Sequence, residues 1–192
     1  MATSNNAVIP PNLSNQRENL IALGADRTAL LKGEVLLETR SHSLCGGAVT
    51  AQMYLPMKRS QAWVQLTNYS RWIHYFPDIV QSEVLDQSIR SSKRCRRLYQ
   101  VARKAFLMFS AQVEIYLKVF ETLHQQIQFR LERGAFSDFA ADLTLQDYEK
   151  GTLLTYSVQA TPLVPVPSFF IQQAIQQDLP GNMKKMRQVI CS

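Results

Sequence analysis

The strongest constraint in this chain is a two-residue alternation that recurs through its second half. Val113, Ile115, Leu117 and Val119 fall on one face. The following runs do the same with Ile127, Phe129 and Leu131, then Phe139, Ala141, Leu143 and Leu145, then Leu154, Tyr156, Val158 and Ala160. Charged or polar residues take most of the intervening positions. Successive side chains of a strand point to opposite faces, so the pattern asks for strands with one buried and one wet face. The short links Glu132-Arg133-Gly134-Ala135 and Asp147 to Gly151 suit hairpins, which makes the series an antiparallel meander.

The same reading places strands over Ile79–Leu85, Arg94–Ala105, Ala111–Thr122, Gln125–Glu132, Phe136–Leu145 and Thr152–Thr161. Two extended runs, Glu34–Thr39 and Ala48–Leu55, precede them around Gly46-Gly47. The period changes between Lys58 and Phe76, where Ala62, Trp63 and Leu66 share one helical face. A second short helix fits Ser70–Phe76, with Ser70 as its N-cap and Pro77 just past its end. After the proline-punctuated stretch from Pro162 to Pro167, a broad apolar stripe predicts a closing helix over Ser168–Ile190. Pro180-Gly181 inside it implies a kink, or a restart with Asp178 as N-cap.

A chain of 192 residues suits one domain with a modest extension. We expect that domain over 34–192 and a partly disordered extension over 1–33, with a short amphipathic helix between Ser14 and Leu31. No run approaches the ~18 apolar residues of a membrane-spanning helix, and the first residues lack the pattern of a secretory signal. A cytoplasmic protein, possible at a membrane periphery, is the expectation. Cys45, Cys95 and Cys191 are too scattered for a zinc site or a disulfide framework. Neither a cofactor nor a metal is expected, since His42, His74 and His124 show no ligand spacing and no phosphate-binding glycine loop occurs.

Several segments resemble a known family in residue detail. Met53–Pro77, MYLPMKRSQAWVQLTNYSRWIHYFP, is similar to a stretch of the START-like (SRPBCC) superfamily, in the branch of polyketide cyclase/dehydrase and coenzyme Q-binding-like proteins. Trp63, Leu66, Thr67, Tyr69, Phe76 and Pro77 fall on its recurring positions. FRLERGAFSDFAADLTLQ from Phe129, GTLLTYSVQATP from Gly151 and the closing IQQDLPGNMKKMRQ match further segments in the right order. The resemblance spans roughly Glu34 to Val189. It departs at Ala141-Asp142-Leu143, where the family has Gly-x-Trp, and at Asn68, where it has Asp; either change alters a cavity's size or polarity.

This resemblance implies an α+β helix-grip fold, a curved antiparallel sheet of about seven strands around a long C-terminal helix. It also implies a cavity between sheet and helix that binds or transports a lipid, quinone or polyketide-like molecule. The inward-facing residues expected to line it are Trp63, Val101, Ile115, Leu117, Phe129, Phe139, Leu143, Leu154 and Tyr156, with Phe170, Ile171 and Ile175 from the helix. Tyr156 is the best candidate for a polar handle, because a buried phenol needs a partner. No acid/base pair stands out, so the residues favour a binding protein over a cyclase or dehydratase, a family name that carries the fold further than the activity.

Seven basic residues and no acidic one lie between Arg90 and Lys104. Lys93, Arg94 and Arg96 are expected at an exposed cationic edge, where they would contact an anionic membrane surface. Contact with RNA, as in ribosome-associated relatives, is the second functional class, though only Tyr99 interleaves with the cluster. Oligomeric state is left open by the sequence.

Overall fold

A computed structural model of the chain describes residues 26–43, 46–90, 93–106, 109–163 and 178–192. The helix α1 is described over 26–31, the end of the expected N-terminal helix. Then come strands β1 (Leu36–Ser43) and β2 (Gly46–Leu55), helix α2 (Arg59–Leu66), a 3-10 turn (Tyr69–Arg71) and helix α3 (Trp72–Tyr75). Six strands follow: β3 (Ile79–Arg90), β4 (Lys93–Phe106), β5 (Phe109–Thr122), β6 (Gln126–Gly134), β7 (Phe136–Tyr148) and β8 (Gly151–Pro162). Helix α4 (Leu179–Cys191) closes the chain.

All eight strands join one curved antiparallel sheet in the order β1-β2-β8-β7-β6-β5-β4-β3. That is one strand more than the expected seven, because the two N-terminal runs form a complete hairpin at one edge. From β4 to β8 each strand pairs with its predecessor, and β2 pairs with β8. The step from β2 to β3 therefore reaches from near one edge of the sheet to the other, and the helical stretch 59–75 makes it.

The alternation seen in the sequence runs straight across the sheet. Ala51, Tyr156, Leu143, Ile127 and Glu121 are successive cross-strand partners, as are Val49, Val158, Ala141, Phe129 and Val119. Apart from Val158, which is half-buried, every apolar residue of these two rows is buried. Together with Leu55, Leu66 and the α4 residues Met183, Met186 and Ile190, they form one core.

Local chemistry explains the helices. In α2 the Gln61 side chain accepts a 3.1 Å hydrogen bond from the Lys58 backbone N–H, satisfying a donor at the helix start. Ser70 is not the cap expected of it: it lies inside the 3-10 turn, and its Oγ donates to Asn68 Oδ1 at 2.8 Å. The residue at the N-cap of α3 is Arg71. At α4, Asp178 occupies the N-cap position with helical backbone angles and no side-chain cap, while Pro180 fits the first turn, where its missing N–H costs nothing. The expected stretch of that helix before Asp178 lies outside the described residues.

Candidate functional site

Among the described residues, the helices pack against part of the inner face. Leu55, Leu145, Leu154, Ile127 and Val119, toward one end of the sheet, share a single buried core with side chains of α2 and α4. Over the other end lies a cavity of about 180 Å³. Ile79, Ala102, Val113, Ile115, Leu117, Phe129, Phe136, Phe139, Ala141 and Tyr156 line it from the sheet, and Trp72 and Phe76 close it from the helical side. Gln100 completes the wall. The aromatic rings brace one another: Trp72 stacks on Phe76 at 5.6 Å between centroids and lies 5.0 Å from Phe129. The indole Nε1 of Trp72 donates to the Leu66 carbonyl at 2.9 Å, which fixes the ring against the cavity.

Two polar side chains interrupt this apolar wall. Tyr156 is buried, and its hydroxyl has no hydrogen-bond partner among the described residues. Burial alone pushes its phenol well above the ordinary tyrosine range. Gln100, equally buried, donates from Nε2 to Ser82 Oγ at 3.1 Å, and Ser82 in turn donates to the Tyr69 carbonyl at 2.7 Å.

A second polar cluster sits beyond the filled part of the same face. Glu121 continues the inward set of β5 and is buried. It accepts a 2.8 Å hydrogen bond from Tyr69 Oη, lies 3.1 Å from Arg96 Nε and 3.6 Å from Arg94 Nη1. Arg96 Nε is buried and out of line for a true hydrogen bond, yet its guanidinium packs over the Tyr69 ring at 5.3 Å and reaches the Thr67 carbonyl. Burial, reinforced by the Glu121 charge, drives the Tyr69 phenol far above its ordinary range.

Of the residues predicted to line a cavity, Ile115, Leu117, Phe129, Phe139 and Tyr156 do stand on its wall. Trp63, Leu143 and Leu154 are instead packed in the filled core, Trp63 edge-on to His124. Phe170, Ile171 and Ile175 lie outside the described residues. Val101 is a correction: Leu98, Gln100 and Ala102 hold the inward positions of β4, so Val101 is on the opposite face, buried there but outside the main core. A glutamine in the inward set had disguised the parity of the strand. Trp72, Phe76 and Phe136 were not singled out as lining residues; Trp72 and Phe76 both lie in the family-like segment 53–77, whereas Phe136 is out of step with Phe139 and the register of β7 on β8 shifts between Phe136 and Asp138.

The cationic edge needs correction at Arg96, while Arg94 is exposed as expected and the side chain of Lys93 lies outside the described residues. Arg94 and Arg96 share one face, but it is the inner one, where Glu121 draws Arg96 in until only 16% of its side chain is exposed. Arg94 stays half exposed. On the outer face, Tyr99 and Tyr116 pack at 4.7 Å, and Arg133 lies 3.9 Å over the Tyr116 ring. Among the described residues no three His, Cys, Asp or Glu side chains converge as a metal site would require, and no helix is long and apolar enough to cross a membrane.

Comparison with known proteins matches residues 55–187 to the family described as polyketide cyclase / dehydrase and lipid transport, which is more than half of the chain. The chain belongs to this family. Solved structures agree on the fold. The STAR-related lipid transfer protein from Xanthomonas axonopodis, 13% identical, superposes with a TM-score of 0.57 over 81% of this chain and 99% of that one. The Zhui aromatase/cyclase from Streptomyces gives 0.56 at 10% identity, over 76% and 93%. A START superfamily protein from Mycobacterium smegmatis gives 0.53 at 13%, over 74% and 96%. A search of curated proteins gives no match. The fold is thus the START-like helix grip that the family-like segments implied, and at these identities the likeness extends to the fold alone.

Proposed function

We propose that the protein binds a hydrophobic small molecule in the cavity on the inner face of the sheet. The observation that carries this reading is a cavity of about 180 Å³ on the same apolar face whose other described residues are tightly packed. Side chains in a protein interior pack to crystal-like density, and voids larger than a water molecule are few. A void walled by Trp72, Phe76, Phe129, Phe136 and Phe139 is therefore a feature with a use, and its lining suits an apolar guest. Membership of a family that includes lipid transport agrees with this reading.

Size narrows the guest. An engineered apolar cavity of ~150 Å³ holds benzene, and drug-sized ligands occupy roughly 300–1,000 Å³. At about 180 Å³ the described cavity matches a compact, ring-sized group, either a whole small ligand or the buried head of a longer lipid, quinone or polyketide. The decisive experiment is native mass spectrometry of the purified protein with solvent extraction, followed by thermal shift against apolar compounds from one ring to lipid size. A ligand at 100 times its Kd should add about 2.7 kcal/mol. A protein that carries no molecule and gains no stability from any of them does not do this job.

A second reading attaches to the outer face. Tyr99, Tyr116 and Arg133 make a stack there, and Arg97, Lys118 and Arg130 are directly opposite one another on β4, β5 and β6. Stacking rings beside cations suit single-stranded RNA. Glu132 and Asp142 pair with Arg97 and Arg130 and offset part of that charge, which is why we rank this reading second. Salt-dependent binding of a short single-stranded RNA, lost on Tyr116→Ala, would support it.

A further inference from the structure

The orientation of the Gln100 amide can be deduced, and it restricts the ligand. Ser82 Oγ lies 2.7 Å from the backbone carbonyl of Tyr69 and 3.1 Å from the side-chain amide of Gln100. A carbonyl has no proton to give, and a serine hydroxyl has only one. That proton goes to Tyr69, so toward Gln100 the Ser82 oxygen can only accept. The end of the amide at Ser82 must be the NH2 group, whose assignment otherwise rests on the bonding network. The amide oxygen of Gln100 consequently points away from Ser82, on a residue that lines the cavity and is 8% exposed. Among the described residues, no donor bonds to it.

An acceptor in an apolar pocket without a donor is costly to leave dry. We infer that Gln100 selects the ligand: the molecule that fills this cavity carries a hydroxyl or N–H donor on its ring-sized head, aimed at Gln100 Oε1. This inference rests on the ligand-binding reading above and adds a chemical requirement to it. Tyr156, on β8 with β7, β6 and β5 between it and β4, supplies a hydroxyl that can either donate or accept, so it imposes no such sign. Discrimination between donor and non-donor ligands falls to Gln100. A hydrocarbon or an ether of the same shape would leave the amide oxygen unpaired, and an ether would set two acceptors against each other.

The test uses three matched probes on the intact protein, 4-propylphenol, 4-propylanisole and propylbenzene, with dissociation constants from calorimetry. The phenol should bind at least about tenfold more tightly than either analogue, as expected when a buried acceptor loses its donor. Gln100→Met should erase that preference while propylbenzene binds as well as before or better, which also reports that the cavity is intact. Should that variant not fold, Ser82→Ala offers a milder route: with its anchor gone the amide can turn, and the gap between phenol and ether should narrow. A phenol that binds within twofold of its ether in the unaltered protein overturns the inference and leaves the ligand-binding reading standing. A preference that survives Gln100→Met overturns it too, since the donor would then be met elsewhere. If none of the three probes binds, this inference fails, and the mass-spectrometric and thermal-shift experiment above decides the ligand-binding reading separately.

Discussion

Tyr69 Oη donates a 2.8 Å hydrogen bond to Glu121, joining the turn between α2 and α3 to a strand 52 positions later. This contact ties the helical layer to the sheet at the end away from the cavity. Glu121 also lies beside Arg96, whose guanidinium covers the Tyr69 ring, so three side chains share one small desolvated space. Removing one member of a buried ion pair leaves the other charge uncompensated, which costs about 3–5 kcal/mol. Replacing both by apolar groups need not.

Glu121→Leu should therefore destabilise by roughly 3 kcal/mol, and Glu121→Leu combined with Arg96→Met should recover much of that loss. Urea unfolding of the four proteins of the cycle measures the coupling. Additive losses would mean that Arg96 and Glu121 do not depend on each other.

The hairpin end of β8 makes an opposite kind of demand, for the lack of a side chain. A Cβ at Gly151 would come within 2.3 Å of the Leu55 carbonyl and 2.7 Å of the Tyr54 hydroxyl. Backbone cannot yield as a side-chain tip can, so Gly151→Ala should force β2 from β8 and cost about 3 kcal/mol. At Gly181, in the first turn of α4, nothing lies within 4 Å of the added atom. Gly181→Ala should instead stabilise by about 0.5 kcal/mol through the unfolded chain. Thermal unfolding of the two variants checks the contrast.

Much of this fold was legible because strand parity is a strong signal. Leu117, Phe129, Leu143 and Leu154 were assigned to the inner face from spacing alone, and all four are buried. Parity failed where a polar residue took an inward position. Gln100 between Leu98 and Ala102 made Val101 look like the lining residue, and the inward set read on β5 stopped at Val119, leaving out Glu121. Both are inward polar groups held by partners from elsewhere in the chain, Ser82 on the neighbouring strand β3 and Tyr69 in the 3-10 turn. Such partners are set by tertiary packing and leave no periodic trace. For the same reason, the sequence could order Trp63, Leu143 and Phe139 on the apolar face but could not tell which of them border a void. That depends on what packs over each stretch of the sheet.

Two buried phenols give the fold a predictable alkaline limit. Tyr69 and Tyr156 both have their ionisation pushed up, by burial first and, for Tyr69, by the charge and hydrogen bond of Glu121 next. A raised folded pKa means that the stabilising contribution is intact below the unfolded tyrosine value of about 10 and declines as pH climbs above it. Each should then cost roughly 1.4 kcal/mol per pH unit until the chain unfolds. Tyr69→Phe and Tyr156→Phe should each flatten the fall in stability between about pH 10 and 11.5. Guanidinium unfolding across that range, with tyrosinate absorbance as a second probe, reads the slope directly.

The cavity itself can be filled from a position that bonds to nothing. Ala102 lines the void from β4, opposite Val113 on β5, and its side chain is only partly buried. Leucine there would extend its added carbons into unoccupied space, which gains apolar burial of about 0.8 kcal/mol per methylene where no neighbour must move. Ala102→Leu should therefore keep or slightly raise stability, and it should weaken binding of propylbenzene by at least about tenfold, since a guest and a side chain cannot share ~180 Å³. Pairing the unfolding curve with calorimetric titration separates this outcome from simple misfolding. Undiminished binding in a stably folded Ala102→Leu protein would place the guest somewhere other than above β4 and β5.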